Sequence, residues 1–132
     1  MTLHVQSARI NYSGPDRLDV TRKSGTEGLF LAPSWAILRP ALNARRRETD
    51  EPPCEVSVAW TNYVPAYFDE MRRSYVDNRA QWTALLARER VVLCCYCTDP
   101  VHCHRAILRG RILPALGAVD EGEMPAVCGV RA

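Results

Sequence analysis

The chain has almost no lysine: Lys23 is the only one among seventeen lysine and arginine residues. It has no apolar run approaching the ~20 residues of a membrane-spanning helix, so no membrane partner is expected. It has neither a G-x-G-x-x-G fingerprint nor a Walker loop, which removes the two commonest glycine-built phosphate cradles. Thr2, His4, Gln6 and Ser7 interrupt the amino end where a signal peptide needs an apolar core, so the expected location is the cytoplasm. A net charge of +2 is too small for a general nucleic-acid coat. An apolar fraction of 47% and a charged fraction of 24% exclude a disordered tail, a collagen and a mucin-like stalk.

What is present is the material of one domain, residues 1–132. A chain of this size buries roughly 65–70% of its unfolded surface and needs no disulfide or metal merely to fold. Codon composition explains most of the arginine excess. Planar, bidentate recognition of phosphate or carboxylate is reserved for arginines beside special residues. Arg45, Arg46 and Arg47, followed by acids and prolines, read as a solvated helix end entering a loop.

Six cysteines would suit a stapled secreted domain if they were dispersed. Instead Cys94, Cys95, Cys97 and Cys103 fall close together, with Cys54 and Cys128 isolated. A local cluster points to chemistry or a metal, whereas a disulfide framework ties distant segments.

Periodicity predicts strands over residues 3–10 and 18–21, separated by the turn at 11–16, where Gly14 supplies a positive φ. Ser34 is the expected N-cap of a helix carrying Trp35, Leu38 and Leu42 on its apolar face, kinked or ended by Pro40. Residues 48–53 read as a loop. Val56, Val58 and Trp60 alternate as a strand over 55–60. Thr61 or Asn62 then caps a helix with Pro65 in its first turn, and Val64, Tyr67, Phe68, Met71 and Tyr75 face a core. Asp77 caps the next helix, with Trp82, Leu85 and Leu86 apolar. The continuous apolar run at 91–97 reads as a central parallel strand buried on both faces. A tight loop at 98–102 leads to a helix opened by Cys103 or His104, with Ile107, Leu108, Ile112 and Leu113 inward and Gly117 as C′ residue. Residues 118–132 read as a segment wrapping the surface. Alternating strands and helices define the expected fold class: α/β, a parallel or mixed sheet flanked by helices.

The candidate site is the stretch from Cys94 to Arg105. On a strand Cys95 and Cys97 share one face, and Cys94 and Tyr96 the other. The strand runs into a loop and a helix amino end, where open α/β sheets bind ligands and where N–H groups hold anions and depress thiol pKa values. One reading makes Cys103 a reactive thiol, with His104 or His102 as proton acceptor and Arg105 as anion clamp. A second has Cys95, Cys97, Cys103 and His104 hold zinc or an iron–sulfur cluster, although C-x-C-x₅-C-H is not a familiar zinc spacing. A third leaves the cysteines as small buried hydrophobes and pairs Arg105 with a carboxylate. The six-residue step from Cys97 reaches Cys103 and not an arginine, so the C-x₅-R phosphatase loop reads as absent.

The segment from Trp60 through Tyr67 and Met71 to VVLCCYC, then Cys103-His104-Arg105 and residues 117–123, resembles the domain-of-unknown-function 488 family. LDVTR, residues 18–22, is similar to that family's D-V-R segment with a threonine inserted. C-Y-C-x-x-P ahead of C-H also resembles a related small family. The resemblance spans most of the chain and implies a compact α/β fold, without supplying a reaction or cofactor. The chain departs from the family in two places. It has C-Y-C where the family commonly has a cysteine–acid pair, and a longer loop over residues 13–25.

These readings converge on a ligand site at the carboxyl edge of the sheet, centred on Cys103, His104 and Arg105. Asp19, Arg22 and Cys97 stand beside it as ligand-binding candidates. The expected partner is a small anionic ligand, nucleotide-like or phosphorylated, bound at a helix amino end. The protein is then a thiol-dependent enzyme; the alternative is a non-catalytic module that binds a nucleotide, a nucleic-acid end or a partner.

Overall fold

The computed structural model describes residues 2–46, 54–97 and 102–125. Four strands form one sheet: β1 (His4–Arg9), β2 (Arg17–Asp19), β3 (Arg90–Cys95) and β4 (Val119–Glu123). Their order is β2-β3-β1-β4, and every neighbouring pair is parallel. Between β2 and β3 come a 3₁₀ turn (Leu29–Leu31), α1 (Trp35–Arg46), α2 (Cys54–Asp77) and α3 (Arg79–Leu86). Beyond β3 lie α4 (His104–Ile107), a π-helical stretch (Leu108–Ile112) and α5 (Leu113–Ala115), which follow one another in helical dihedrals. This is the expected α/β class, with a wholly parallel sheet.

β3 is an inner strand because its residues have no polar face to spare. Val91, Val92, Leu93, Cys94 and Cys95 are all buried, as parallel strands covered on both sides must be. Side chains alternate, so Val91, Leu93 and Cys95 share one face. Leu93 stands opposite Ser7 of β1 and Leu18 of β2, and belongs to the main core with Val5, Tyr67, Met71, Trp82 and Leu108. Val92 and Cys94 join Ala8 on the other face, under Ile10, Tyr12 and Met124. Cys95 is therefore delivered to the main-core face at the carboxyl end of the sheet.

Several expectations are corrected. Residues 55–60 are the start of α2, not a strand. Val56, Val58 and Trp60 do alternate, but Val56, Trp60, Tyr63 and Tyr67 also recur at helical spacing, and the longer register wins. Thr61, Asn62 and Pro65 consequently lie inside the helix. Asn78, not Asp77, precedes α3. Asp16, not Gly14, takes the positive φ of the first turn, at 64°. Trp35 is 40% exposed, and α1 runs through Pro40 as far as Arg46 while packing along α2. Residues 119–123, expected only to wrap the surface, form the edge strand β4. Gly117 does adopt positive φ, at 102°, just past α5. The expected loops at 48–53 and 98–101 lie outside the described residues.

Leu93 has no exposed surface, so Leu93→Ala should cost about 2–5 kcal/mol in denaturant unfolding. A cost well under 1 kcal/mol would contradict the central position of β3.

Candidate metal centre

Two chain segments meet at the carboxyl edge of the sheet. β3 ends with Cys95, and two residues later Cys97 stands on the same side; their sulfurs are 3.8 Å apart. The second segment arrives in extended conformation at Cys103, φ −149° and ψ 146°, directly before α4. That extended residue turns Cys103 inward, and His104 opens the helix. Cys95, Cys103 and His104 are each under 5% exposed. Cys97 is half-buried. Cys94, Cys95, Cys97 and Cys103 are all free of disulfides.

His104 sets the chemistry of the cluster. Its Nε2 lies 2.7 Å from the carbonyl oxygen of Val20. A carbonyl only accepts, so Nε2 carries the proton and Nδ1 presents its lone pair. Nδ1 stands 3.8 Å from Cys103 Sγ and 3.9 Å from Cys95 Sγ. The ring is also held edge-on to Tyr67, at 5.7 Å between centroids. A histidine fixed by a backbone carbonyl on one nitrogen, with the other facing thiols, is oriented as metal-ligating histidines usually are. The donor atoms of Cys95, Cys103 and His104 all lie within 4.8 Å of one another, a group that could hold a metal ion.

The spacing can be compared with a real ion. Tetrahedral zinc with bonds of about 2.3 Å to sulfur and 2.0–2.1 Å to nitrogen puts its sulfurs about 3.8 Å apart and sulfur and nitrogen about 3.5 Å apart. The distances here, 3.8 to 3.9 Å, need only a few tenths of an ångström of contraction.

The thiols do not share charge equally. Hydrogen bonds from Cys103 and Cys97 hold the Cys95 thiol far below its ordinary range. Burial, then the bonds it makes to Cys95 and Cys97, pushes Cys103 well above it.

Arg105 is fully buried and spoken for. Its Nε and Nη2 donate to the two oxygens of Glu123, at 3.0 and 2.8 Å. Nη1 donates to the Cys97 carbonyl at 3.0 Å and points at Cys103 Sγ at 3.4 Å. Burial opposes the charge, but the Glu123 carboxylate more than compensates and raises the Arg105 pKa. Glu123 also accepts from Ser7 Oγ at 2.6 Å. Glu123 is the functional neighbour that sequence reading did not single out. It sits in a polar edge strand, and its only sequence signal was its inclusion in the 117–123 stretch that resembles the family.

The second-rank candidates have local partners of their own. Asp19 accepts from Thr21 N and Oγ1, at 2.9 and 2.6 Å, and from Ser24 Oγ. It shapes the turn after β2, whose Gly28 packs against it: a Cβ there would stand 2.3 Å from the Asp19 carbonyl oxygen. That turn presents the Val20 carbonyl to His104. Arg22 donates to the carbonyls of Pro33 and Ala32 and lines a separate depression. His102 rests edge-on against Trp60, 5.3 Å between centroids. A C-x₅-R spacing does occur from Cys103 to Arg109, but the intervening residues are helical. Arg109 bonds Asp120 and Ser7 instead, so no anion-wrapping loop forms there.

The Arg105–Glu123 fork gives the fold a definite acid response. Burial would raise the Glu123 pKa, but Arg105 and Ser7 bonds outweigh it and lower it below 4.5. A carboxylate lowered by folding stabilises above its unfolded pKa, and that contribution fades as pH falls through the folded value. Stability of Glu123→Gln should accordingly fall less steeply than wild type below about pH 4.5, measured by denaturant titration. Arg105→Ala, which leaves Glu123 uncompensated, should cost about 3–5 kcal/mol near neutrality. A cost below 1 kcal/mol would contradict the buried fork.

A family model described as DUF488-N3a, the active DUF488-N3 subclade, matches residues 29–115, well over half of the 132-residue chain. No match is found among the curated proteins or the solved structures. The matched span carries β3, the cysteine cluster and the Cys103-His104-Arg105 run, while the LDVTR segment at 18–22 and residues 117–123 lie outside it. The chain belongs to the domain-of-unknown-function 488 family, in its DUF488-N3 subclade.

Proposed function

We propose that the protein is a zinc protein whose Cys95, Cys97, Cys103 and His104 form a closed Cys₃His centre at the carboxyl edge of the sheet. The observation that carries this reading is His104: Nε2 is spent on Val20, and Nδ1 faces two thiols at 3.8 and 3.9 Å. The donors of Cys95, Cys103 and His104, gathered within 4.8 Å of one another, suit one ion, with Cys97 Sγ 3.8 Å from Cys95 Sγ as the fourth, whereas an iron–sulfur cluster needs its ligands spread around several irons. Bound zinc would supply a fixed divalent charge that keeps all three thiols ionised and ties β3 to α4. Arg105, 3.4 Å from Cys103 Sγ, offsets the net negative charge left by three thiolates around a divalent ion.

A second reading keeps Cys103 as a nucleophile toward an anionic substrate, with His104 as its base. It is favoured by that same Arg105 contact. Burial weighs against it. Cys103 is 2% exposed, its pKa is raised, and reactive cysteines are partly exposed with lowered pKa values.

One preparation separates the two. Protein purified without a histidine tag should hold about one zinc per chain, and Cys103→Ser and His104→Ala should lose it while Cys54→Ser retains it. Chelation should lower the melting temperature by several degrees and open the cluster to iodoacetamide. Metal-free protein in which Cys103 alone alkylates rapidly near neutral pH would overturn the zinc reading in favour of the nucleophile.

A further inference from the structure

Away from the cysteine cluster, the 3₁₀ turn and helices α2 and α3 enclose an open depression of about 500 Å³. That volume falls within the range of small-molecule sites. Its walls are fixed by hydrogen bonds. Ser74 Oγ donates to the Phe30 carbonyl at 2.7 Å and accepts from Asn78 and Trp82. Glu70 accepts from the backbone and hydroxyl of Ser34. Arg22 uses Nε and Nη2 on the carbonyls of Pro33 and Ala32. Such walls are preorganised, so little ordering is left for a ligand to impose.

Within these walls, charges are left over. Arg73 and Asp77 both line the depression and sit one turn apart on α2. Their side chains make no hydrogen bond or ion pair with each other or with any other described residue. Opposite charges at i and i+4 commonly pair on a helix, though the order with the cation first is the weaker one. Here they stay apart, and both border a cavity floored by Leu29, Phe30 and Met71. A second depression of about 270 Å³ shares Phe30 and Gln81 with the first and is bordered by Leu18, Ala84 and Leu85, with Glu27 and Arg88 also in its lining.

We propose that this depression binds a zwitterionic small molecule of the free amino-acid class with an apolar side chain. The carboxylate meets Arg73, assisted by Arg22 through its remaining Nη1. The ammonium meets Asp77. The side chain lies on Phe30 and reaches the second depression. A simple inorganic anion would satisfy the arginines but leave Asp77 facing it, and a purely apolar molecule would strand both charges. No residue of the cysteine cluster takes part, so the site stands or falls apart from the zinc reading.

Isothermal titration with L-phenylalanine and L-leucine tests the proposal. Arg73 and Asp77 are exposed, so Arg73→Gln and Asp77→Asn should fold normally, which melting curves will verify. The wild type should bind at least one of the two amino acids saturably, with Kd of about 1 mM or below. Each variant should weaken that binding about tenfold or more, as should N-acetylation or amidation of the ligand. No saturable binding of either amino acid would overturn the proposal. So would affinity unchanged in both variants, equal affinity for the acetylated and amidated forms, or inorganic phosphate binding as tightly as the amino acids.

Discussion

A guanidinium with no exposed surface is the constraint around which the carboxyl edge of this sheet is organised. Leaving Arg105 unpaired in the interior would cost several kcal/mol, so every neighbour must serve it. Glu123 comes from β4, the Cys97 carbonyl from the end of β3, and the Cys103 sulfur from the start of α4. β4 has a single apolar residue, Val119, and that one is 42% exposed. Hydrophobic burial does little for such a strand. Its place beside β1 depends on the Glu123 fork, on Ser7 and Arg109 beside it, and on the Met124 amide bonding to Ser7. Sheet edge, cysteine cluster and helix start are one electrostatic unit.

The same constraint holds the cysteine cluster together. Arg105 pulls the Cys97 carbonyl and the Cys103 sulfur toward one point from below, and Val20 fixes the far nitrogen of His104. The sulfurs of Cys95 and Cys103 and a ring nitrogen of His104 are thereby gathered within 4.8 Å of one another. A substrate would have to enter a region where Cys95, Cys103, His104 and Arg105 are each less than 5% exposed.

Much of this was legible in the residues. The apolar run at 91–97 read as an inner strand, which in the structure ends at Cys95, and the two-residue step from Cys95 to Cys97 put both thiols on one side. His104 at a helix start was equally plain. What could not be read were relations set by other segments. The Val20 carbonyl that selects the histidine tautomer carries no side-chain signal at all. Glu123 lies in VDEGE, which has neither strand nor helix period, so the partner of Arg105 could be anticipated as a carboxylate but not located. Asp19, a ligand-binding candidate in the sequence, has its carboxylate consumed locally by Thr21 and Ser24. The misreading of 55–60 has a different origin. Three alternating apolar residues fit two periods, and only the continuation through Tyr63 and Tyr67 decides between them.

X-ray absorption at the zinc edge, on protein purified without an affinity tag, tests the central claim most directly. The account predicts a four-coordinate shell of three sulfurs at about 2.3 Å and one nitrogen at about 2.0–2.1 Å. A shell dominated by oxygen, or no zinc absorption above background, would contradict it.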